Sequence, residues 1–229
     1  MSIWFGVLIV VAYLLGSVPM SQVVAGLYHL DLRKHGTGQV GAGNLWRLKS
    51  WRVGLPVGIF DFCKGFFMVW LAAWAGLDTP QQILVGAATI IGHNWSVFLR
   101  FQGGRGIGTT IGVISVLPLA TNMAPWPSVT FLVIIVVGSL VIRSSPVAAL
   151  LGSILLPLVS WTSQEPISVT LSFLVILVII IIKRMTVPFS TEAASIKKRD
   201  VLLNRFIFDR DISDRKLWVY RNHPKQQEH

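Results

Sequence analysis

Long apolar runs alternate with short polar stretches along most of this chain. Seven runs stand out, at residues 3–25, 53–75, 82–98, 107–124, 128–142, 146–161 and 167–182. Each reads as a helix in an apolar solvent, because only helices and closed barrels satisfy every backbone polar group inside a bilayer. Several are short for a helix that needs roughly 20 residues to cross, so tilt or local thinning of the bilayer is expected. Pro118, Pro125, Pro127 and Pro146 fall at the boundaries of the middle runs, where a missing N–H ends or bends a helix. The pattern predicts an all-α polytopic membrane protein with about seven transmembrane helices.

The polar stretches alternate in charge. The first carries Arg33, Lys34, Arg47, Lys49 and Arg52, the third Arg100 and Arg105, and the fifth Arg143; the last run is followed by Lys183 and Arg184. The stretches around Asp78, Pro125 and Glu165 carry no basic residue. Cytoplasmic loops are enriched in Lys and Arg, so the N-terminus is expected outside and the C-terminus in the cytoplasm. No Lys or Arg precedes Arg33. The first run therefore lacks the basic flank of a signal peptide and reads as a retained span.

With 53% hydrophobic and 13% charged residues, the chain is too apolar for an ordinary soluble domain. The net charge of +10 raises nucleic acid as a partner, but eleven of the twenty Lys and Arg residues lie after Ile182. A basic tail behind membrane spans faces anionic lipid headgroups instead, so no nucleic acid is expected. Cys63 is the only cysteine, and no His, Asp or Glu cluster has ligand spacing, so neither a metal nor an organic cofactor is expected. The nine Trp residues, among them Trp46, Trp51, Trp95 and Trp161, lie mostly near run ends, as in an interfacial aromatic belt.

Candidate chemistry concentrates in two glycine-rich segments on the predicted cytoplasmic side. Residues 36–47 read GTGQVGAGNLWR, and residues 101–110 read FQGGRGIGTT. Small residues let several backbone N–H groups converge on an anion. Gly36, Gly38 and Gly41 match GxGxxG, but a dinucleotide site needs a strand before the glycines, and here the flank is a membrane span. Asn44 and Arg47 add side-chain donors, and arginine grips a phosphate through two parallel hydrogen bonds. Gly103, Gly104, Arg105 and Gly106 run directly into the apolar stretch from Ile107, a glycine turn feeding a helix N-terminus. Thr109 and Thr110 then place hydroxyls in the first turn. Two such segments on one face suggest a site for phosphorylated substrates at the lipid boundary.

Three further residues are candidates. Asp61 and Lys64 stand at i and i+3 within an apolar run, where charges are paired or functional; a structural ion pair is the plainer reading. His93 precedes the second glycine segment and could serve as a general base or hold a loop. A histidine followed five residues later by an acid occurs only at His223 and Glu228, in the polar tail; the match reads as accidental.

The motifs YLLGSVP at 13–19, DLRKHGTGQVGAGNLWR at 31–47, DFCKG at 61–65 and GHNWSVFLRFQGGRGIGTTIGV at 92–113 agree with one family in order, spacing and position between spans. The chain resembles the PlsY family of integral-membrane acyl-phosphate:glycerol-3-phosphate acyltransferases. The resemblance implies acyl transfer from acyl phosphate to the 1-hydroxyl of glycerol 3-phosphate, giving lysophosphatidic acid and phosphate at the cytoplasmic side of the cell membrane. It further implies that the loop Gly38, Gln39, Val40, Gly41, Ala42, Gly43 and Asn44 cradles the donor phosphate, and that Thr37, Arg47 and Arg105 hold the acceptor. The family usually has Ser at Thr37, Asn at Gln39, Thr at Gly43 and Lys at Arg105. The likeness fades after Gly112. The last span ends IIKRMTVPFSTEAAS, where the family carries an Arg-His and Asn-containing motif; Asn204, Arg205, Asp209, Arg210 and Asp211 form a faint displaced counterpart. Residues 1–184 are thus expected to form the transmembrane acyltransferase domain and residues 185–229 a basic, peripheral cytoplasmic extension. The competing readings are a relative with another acceptor and a non-catalytic membrane transporter or binding protein for a phosphorylated metabolite.

Overall fold

A computed structural model describes residues 3–221, and every regular element among them is helical. His223 and Glu228 lie outside the described residues. In chain order the helices are α1 (Ile3–Ser17), α2 (Met20–Gly26), α3 (Ala42–Leu48), α4 (Trp51–Trp74), α5 (Thr79–Asn94), α6 (Ile107–Ala120), α7 (Trp126–Val133), α8 (Ser139–Val141), α9 (Ser145–Thr162), α10 (Ile167–Met185), α11 (Lys198–Phe208) and α12 (Arg215–Tyr220). A π-helical turn, Ile134–Gly138, joins α7 to α8.

Among the described residues, five helical stretches are long and apolar enough to cross a membrane: Ile3–Gly26, Trp51–Trp74, Thr79–Leu99, Ser145–Thr162 and Ile167–Met185. Ile107–Ala120 and Trp126–Val141 are apolar but shorter. The seven apolar runs are therefore seven helical stretches, with shifted ends. The first is interrupted before Pro19, which has no N–H to continue the helix. The third starts earlier than its apolar run, because Asp78 and Gln81 form a reciprocal capping box, with Gln81 N donating to Asp78 Oδ1 at 2.9 Å.

Packing relies on small residues at helix crossings, since lipid tails supply no hydrophobic force between spans. A Cβ on Gly112 would lie 2.0 Å from the Phe62 carbonyl oxygen, and one on Gly65 would lie 2.3 Å from that of Thr109. These two glycines thus set the contact of α4 with α6. Gly16 and Gly92 do the same for α1 and α5, with a Cβ 2.2 Å from Thr89 O and 2.1 Å from Tyr13 O respectively. The largest apolar core includes Ile90, Leu117, Phe131 and Phe173 between α5, α6, α7 and α10. A smaller one, with Leu32, Val40, Leu45 and Val57, sits under the first glycine segment and holds it against α4.

Candidate active site

The first glycine segment is shaped by one side chain. Asn44, 3% exposed, donates to the carbonyls of Leu32 (3.3 Å), His35 (3.0 Å) and Gln39 (3.1 Å) and accepts from Thr37 N at 3.1 Å. Gly36 and Gly38 turn the chain with φ of 59° and 71°, a region glycine enters without a Cβ penalty. The side-chain amide of Asn44 is thus spent on shaping the loop, while the residue itself lines the cavity described below. Arg47 donates to Gly43 O at 3.0 Å, which brings its guanidinium back over the loop.

The second segment meets the first at Gly104. A Cβ there would stand 2.3 Å from both Val40 O and His93 Nε2. Gly104 N donates to His93 O at 3.0 Å, and a Cβ on Gly103 would press within 2.1 Å of that same oxygen. Gly106 then enters α6 with φ of 69°. Thr109 departs from expectation. It is fully buried in the α4–α6 crossing against Gly65, because its position in the first turn faces the bundle and not the loops.

Asp61 and Lys64 form the anticipated ion pair, Nζ to Oδ1 at 2.9 Å. Lys64 Nζ also donates to Gly16 O at 3.0 Å and lies 2.8 Å from His93 Nδ1. The same Nδ1 stands 3.4 Å from Asp61 Oδ1, so the ring nitrogen faces both members of the ion pair: it accepts from the ammonium in one tautomer and donates to the carboxylate in the other. In either, His93 packs between the Asp61–Lys64 pair and the glycine junction. Removing one partner of a buried pair leaves an uncompensated charge, which costs about 3–5 kcal/mol. Asp61→Ala should accordingly lower the melting temperature in detergent sharply. The double variant Asp61→Leu/Lys64→Met should lose less than the sum of the single losses, and simple additivity would exclude the pairing as the cause.

These parts surround one cavity of about 490 Å³. Thr37, Gln39, Val40, Gly41, Ala42, Gly43, Asn44 and Arg47 line it from the first segment, Asp61 and His93 from the bundle, and Arg105 and Gly106 from the second. Gly38, Gly103, Gly104, Lys64 and Thr109 sit behind that lining. The cavity also opens beside Gly41 and Gly43, where an added Cβ meets nothing within 4 Å and only Arg47 at 3.6 Å, respectively.

The remaining wall comes from a part of the chain that sequence reasoning set aside. Phe208, Asp209, Arg210, Arg215, Trp218 and Val219 close the cavity, so the C-terminal segment is not peripheral in position. Arg205, 2% exposed, ties it to the end of α10, donating to Val187 O at 2.5 Å and Pro188 O at 3.0 Å and to Asp211 Oδ1 at 2.6 Å. Burial raises the Asp211 carboxyl, but bonds donated by Arg205 and Ser190 outweigh it and hold the group below the ordinary aspartate range. Arg184 donates to Phe206 O at 2.8 Å and to Pro146 O, and Lys183 donates to Asn94 O. Both cations read in sequence only as interfacial charges. Arg221 reaches Thr37 O at 3.0 Å. The one signal of this arrangement was the mixed charge of residues 204–211, too irregular to be matched to a motif.

An all-helical bundle of apolar helices whose two glycine segments and buried cations converge on one cavity defines an integral membrane protein with a cation-lined cavity at one end. The chain matches the glycerol-3-phosphate acyltransferase family over residues 6–187, and it belongs to that family. It is 38% identical to glycerol-3-phosphate acyltransferase 4 of Dehalococcoides mccartyi (strain CBDB1), across 97% of this chain and 96% of that protein. The crystal structure of PlsY, an integral membrane glycerol 3-phosphate acyltransferase, in its glycerol 3-phosphate form superposes with a TM-score of 0.70 at 28% identity, covering 84% of this chain and 99% of that one. The lysophosphatidic acid form gives 0.67 at 29%, covering 79% and 87%. The likeness thus continues well past Gly112, and the segment after residue 187 is shared with the Dehalococcoides relative.

Proposed function

We propose that this protein transfers a fatty acyl group from acyl phosphate to the 1-hydroxyl of glycerol 3-phosphate. The observation that carries the reading is the convergence of both glycine segments with Arg47 and Arg105 on a single cavity. Loop residues 38–44 receive the donor phosphate, while Thr37, Arg47 and Arg105 hold the acceptor. PlsY has been solved in forms with glycerol 3-phosphate and with lysophosphatidic acid, and the same two molecules are the acceptor and product proposed here. The helices form seven spans with the N-terminus outside, the cavity facing the cytoplasm of a cell membrane, by the alternation of loop charge.

The acceptor hydroxyl oxygen forms the new bond to the acyl carbon. The bond from that carbon to the phosphate oxygen breaks, inorganic phosphate leaves, and a substrate phosphate oxygen takes the hydroxyl proton. An acyl phosphate is an activated anhydride, so positioning two anions and stabilising developing charge supply most of the acceleration. The packing of His93 against Lys64, Asp61 and Gly104 supports a positioning role for it in this base-free route. His93→Ala should therefore lower turnover about tenfold, by loosening Lys64 and the glycine junction, and leave measurable activity, since loss of a required general base costs roughly 10²–10⁴. Complete loss in a folded His93→Ala protein would overturn the base-free step.

A transporter places its polar groups near the bilayer midplane on broken helices. Here the loop glycines, arginines and tail meet at one end of the bundle, which favours chemistry on an amphiphile. The test is release of phosphate from palmitoyl phosphate by the purified protein, with and without glycerol 3-phosphate. Release that requires glycerol 3-phosphate supports the reading. Release that another phosphorylated polyol triggers and glycerol 3-phosphate does not would replace the acceptor.

A further inference from the structure

The geometry points to Asp209 as a positioning residue for the acceptor site, acting through Arg105 from a segment that lies beyond the family match. Arg105 NH1 is 2.5 Å from Asp209 Oδ1, with side chains 11% and 2% exposed. Asp209 is the only polar partner of Arg105 among the described residues. Its other guanidinium N–H groups remain available to the cavity that both residues line. The two atoms form a close ion pair and make no other hydrogen bond; the opposite charge holds the guanidinium against the C-terminal wall and leaves its remaining N–H groups for a phosphate contact.

The carboxylate is itself held rigidly. Asp209 caps α11 with φ of 59°, and its N–H donates to Arg205 O at 3.0 Å. Arg205 is pinned in turn to Val187, Pro188 and Asp211, and Arg184 holds the Phe206 and Ile207 carbonyls from α10. The last turn of α10, α11 and the turn after it therefore form a bracket with Asp209 at its tip. Of the four charged side chains bordering the small gap behind Arg105, three are cations, Arg105, Lys183 and Arg184, and Asp209 is the anion. Lys183 and Arg184 are already bound to backbone carbonyls, so Arg105 is the member oriented by Asp209 and presented to a ligand.

This rests on the acyltransferase reading above, and steady-state kinetics separate the two. Asp209→Asn should raise KM for glycerol 3-phosphate about 10- to 50-fold, lower kcat less than about threefold and leave KM for palmitoyl phosphate unchanged, a loss of acceptor binding alone. Asp209→Glu should recover most of the affinity. In an Arg105→Lys background Asp209→Asn should add less than about threefold, because the fork to be oriented is gone. A lowered acceptor KM in Asp209→Asn would mean that the carboxylate competes with substrate, and overturns the proposal. Equal losses for donor and acceptor, or full additivity with Arg105→Lys, overturn it as well. If Asp209→Asn does not fold, Asp209→Glu carries the same test, with an acceptor KM raised about threefold and no further rise when combined with Arg105→Lys. If the wild type shows no glycerol 3-phosphate-dependent release, the acyltransferase reading fails. Calorimetric binding of inorganic phosphate then decides the pairing: about tenfold weaker binding in Asp209→Asn supports it, and unchanged binding overturns it.

Discussion

Replacing Arg105 by Ala is expected to cut glycerol 3-phosphate-dependent phosphate release by about 10²–10³-fold, the range seen when one preorganised charge-stabilising donor is removed. Arg105 contributes in two ways. It offers the cavity a guanidinium beside Gly106, and it neutralises Asp209, whose side chain is only 2% exposed. The second contribution means that the variant also leaves a buried carboxylate unpaired, so a melting curve must accompany the kinetics. Arg105→Ala/Asp209→Ala removes the stranded charge. It should regain stability and remain inactive, which separates loss of the ligand contact from loss of fold. Arg105→Lys keeps the charge without the fork and should fall between wild type and Ala. Activity of Arg105→Ala within about fivefold of wild type would exclude Arg105 from the acceptor site.

Gly104→Val is expected to be as severe, through geometry and not charge. The added Cβ would meet Val40 O and His93 Nε2 at 2.3 Å each, and the first of these is backbone fixed by the small core beneath Val40. The two glycine segments would have to separate, displacing His93 from Lys64 and Arg105 from the cavity at once. Turnover should fall by more than about 10²-fold, since a misplacement near 1 Å is already enough to cost that much. The glycines of the helix crossings are untouched, so helical content by circular dichroism should persist. Gly41→Ala is the informative contrast. Gly41 has extended backbone at φ −172°, and its Cβ meets no atom within 4 Å. The folded protein should tolerate Ala there with an unchanged melting temperature. Any rise in KM for palmitoyl phosphate then reports a ligand occupying the space that glycine leaves open. Equal behaviour of the Gly104 and Gly41 variants would show that the junction has no special role.

Which parts were readable in sequence follows from the range of the forces involved. Apolar runs long enough for a bilayer, the ion pair of Asp61 with Lys64 one turn apart, and the glycine-dense segments are all local patterns. A chain in an apolar solvent must form its backbone hydrogen bonds within each segment, so they could be read without knowing the fold. The break of the first run at Pro19 is equally local and was available from the missing N–H.

The features that pattern alone does not give depend on contacts made by the folded chain, some within one loop and some between distant segments. Only the folded loop shows the Asn44 amide bound to the Leu32, His35 and Gln39 carbonyls. Thr109 appeared beside the site, yet the rotation of α6 against α4 turns it into the crossing at Gly65. The tail appeared peripheral because its charges lack the periodicity of a motif. Arg205 and Arg184 dock it through backbone carbonyls that every residue possesses, and carbonyl acceptors leave no trace in side-chain identity. The sequence alone thus determined a helical membrane bundle with two anion-suited glycine segments. Tertiary structure alone decided that the C-terminal segment folds back to place Asp209 against Arg105, because that contact is made by groups more than one hundred residues apart, whose meeting is set by the packing of α10 and α11.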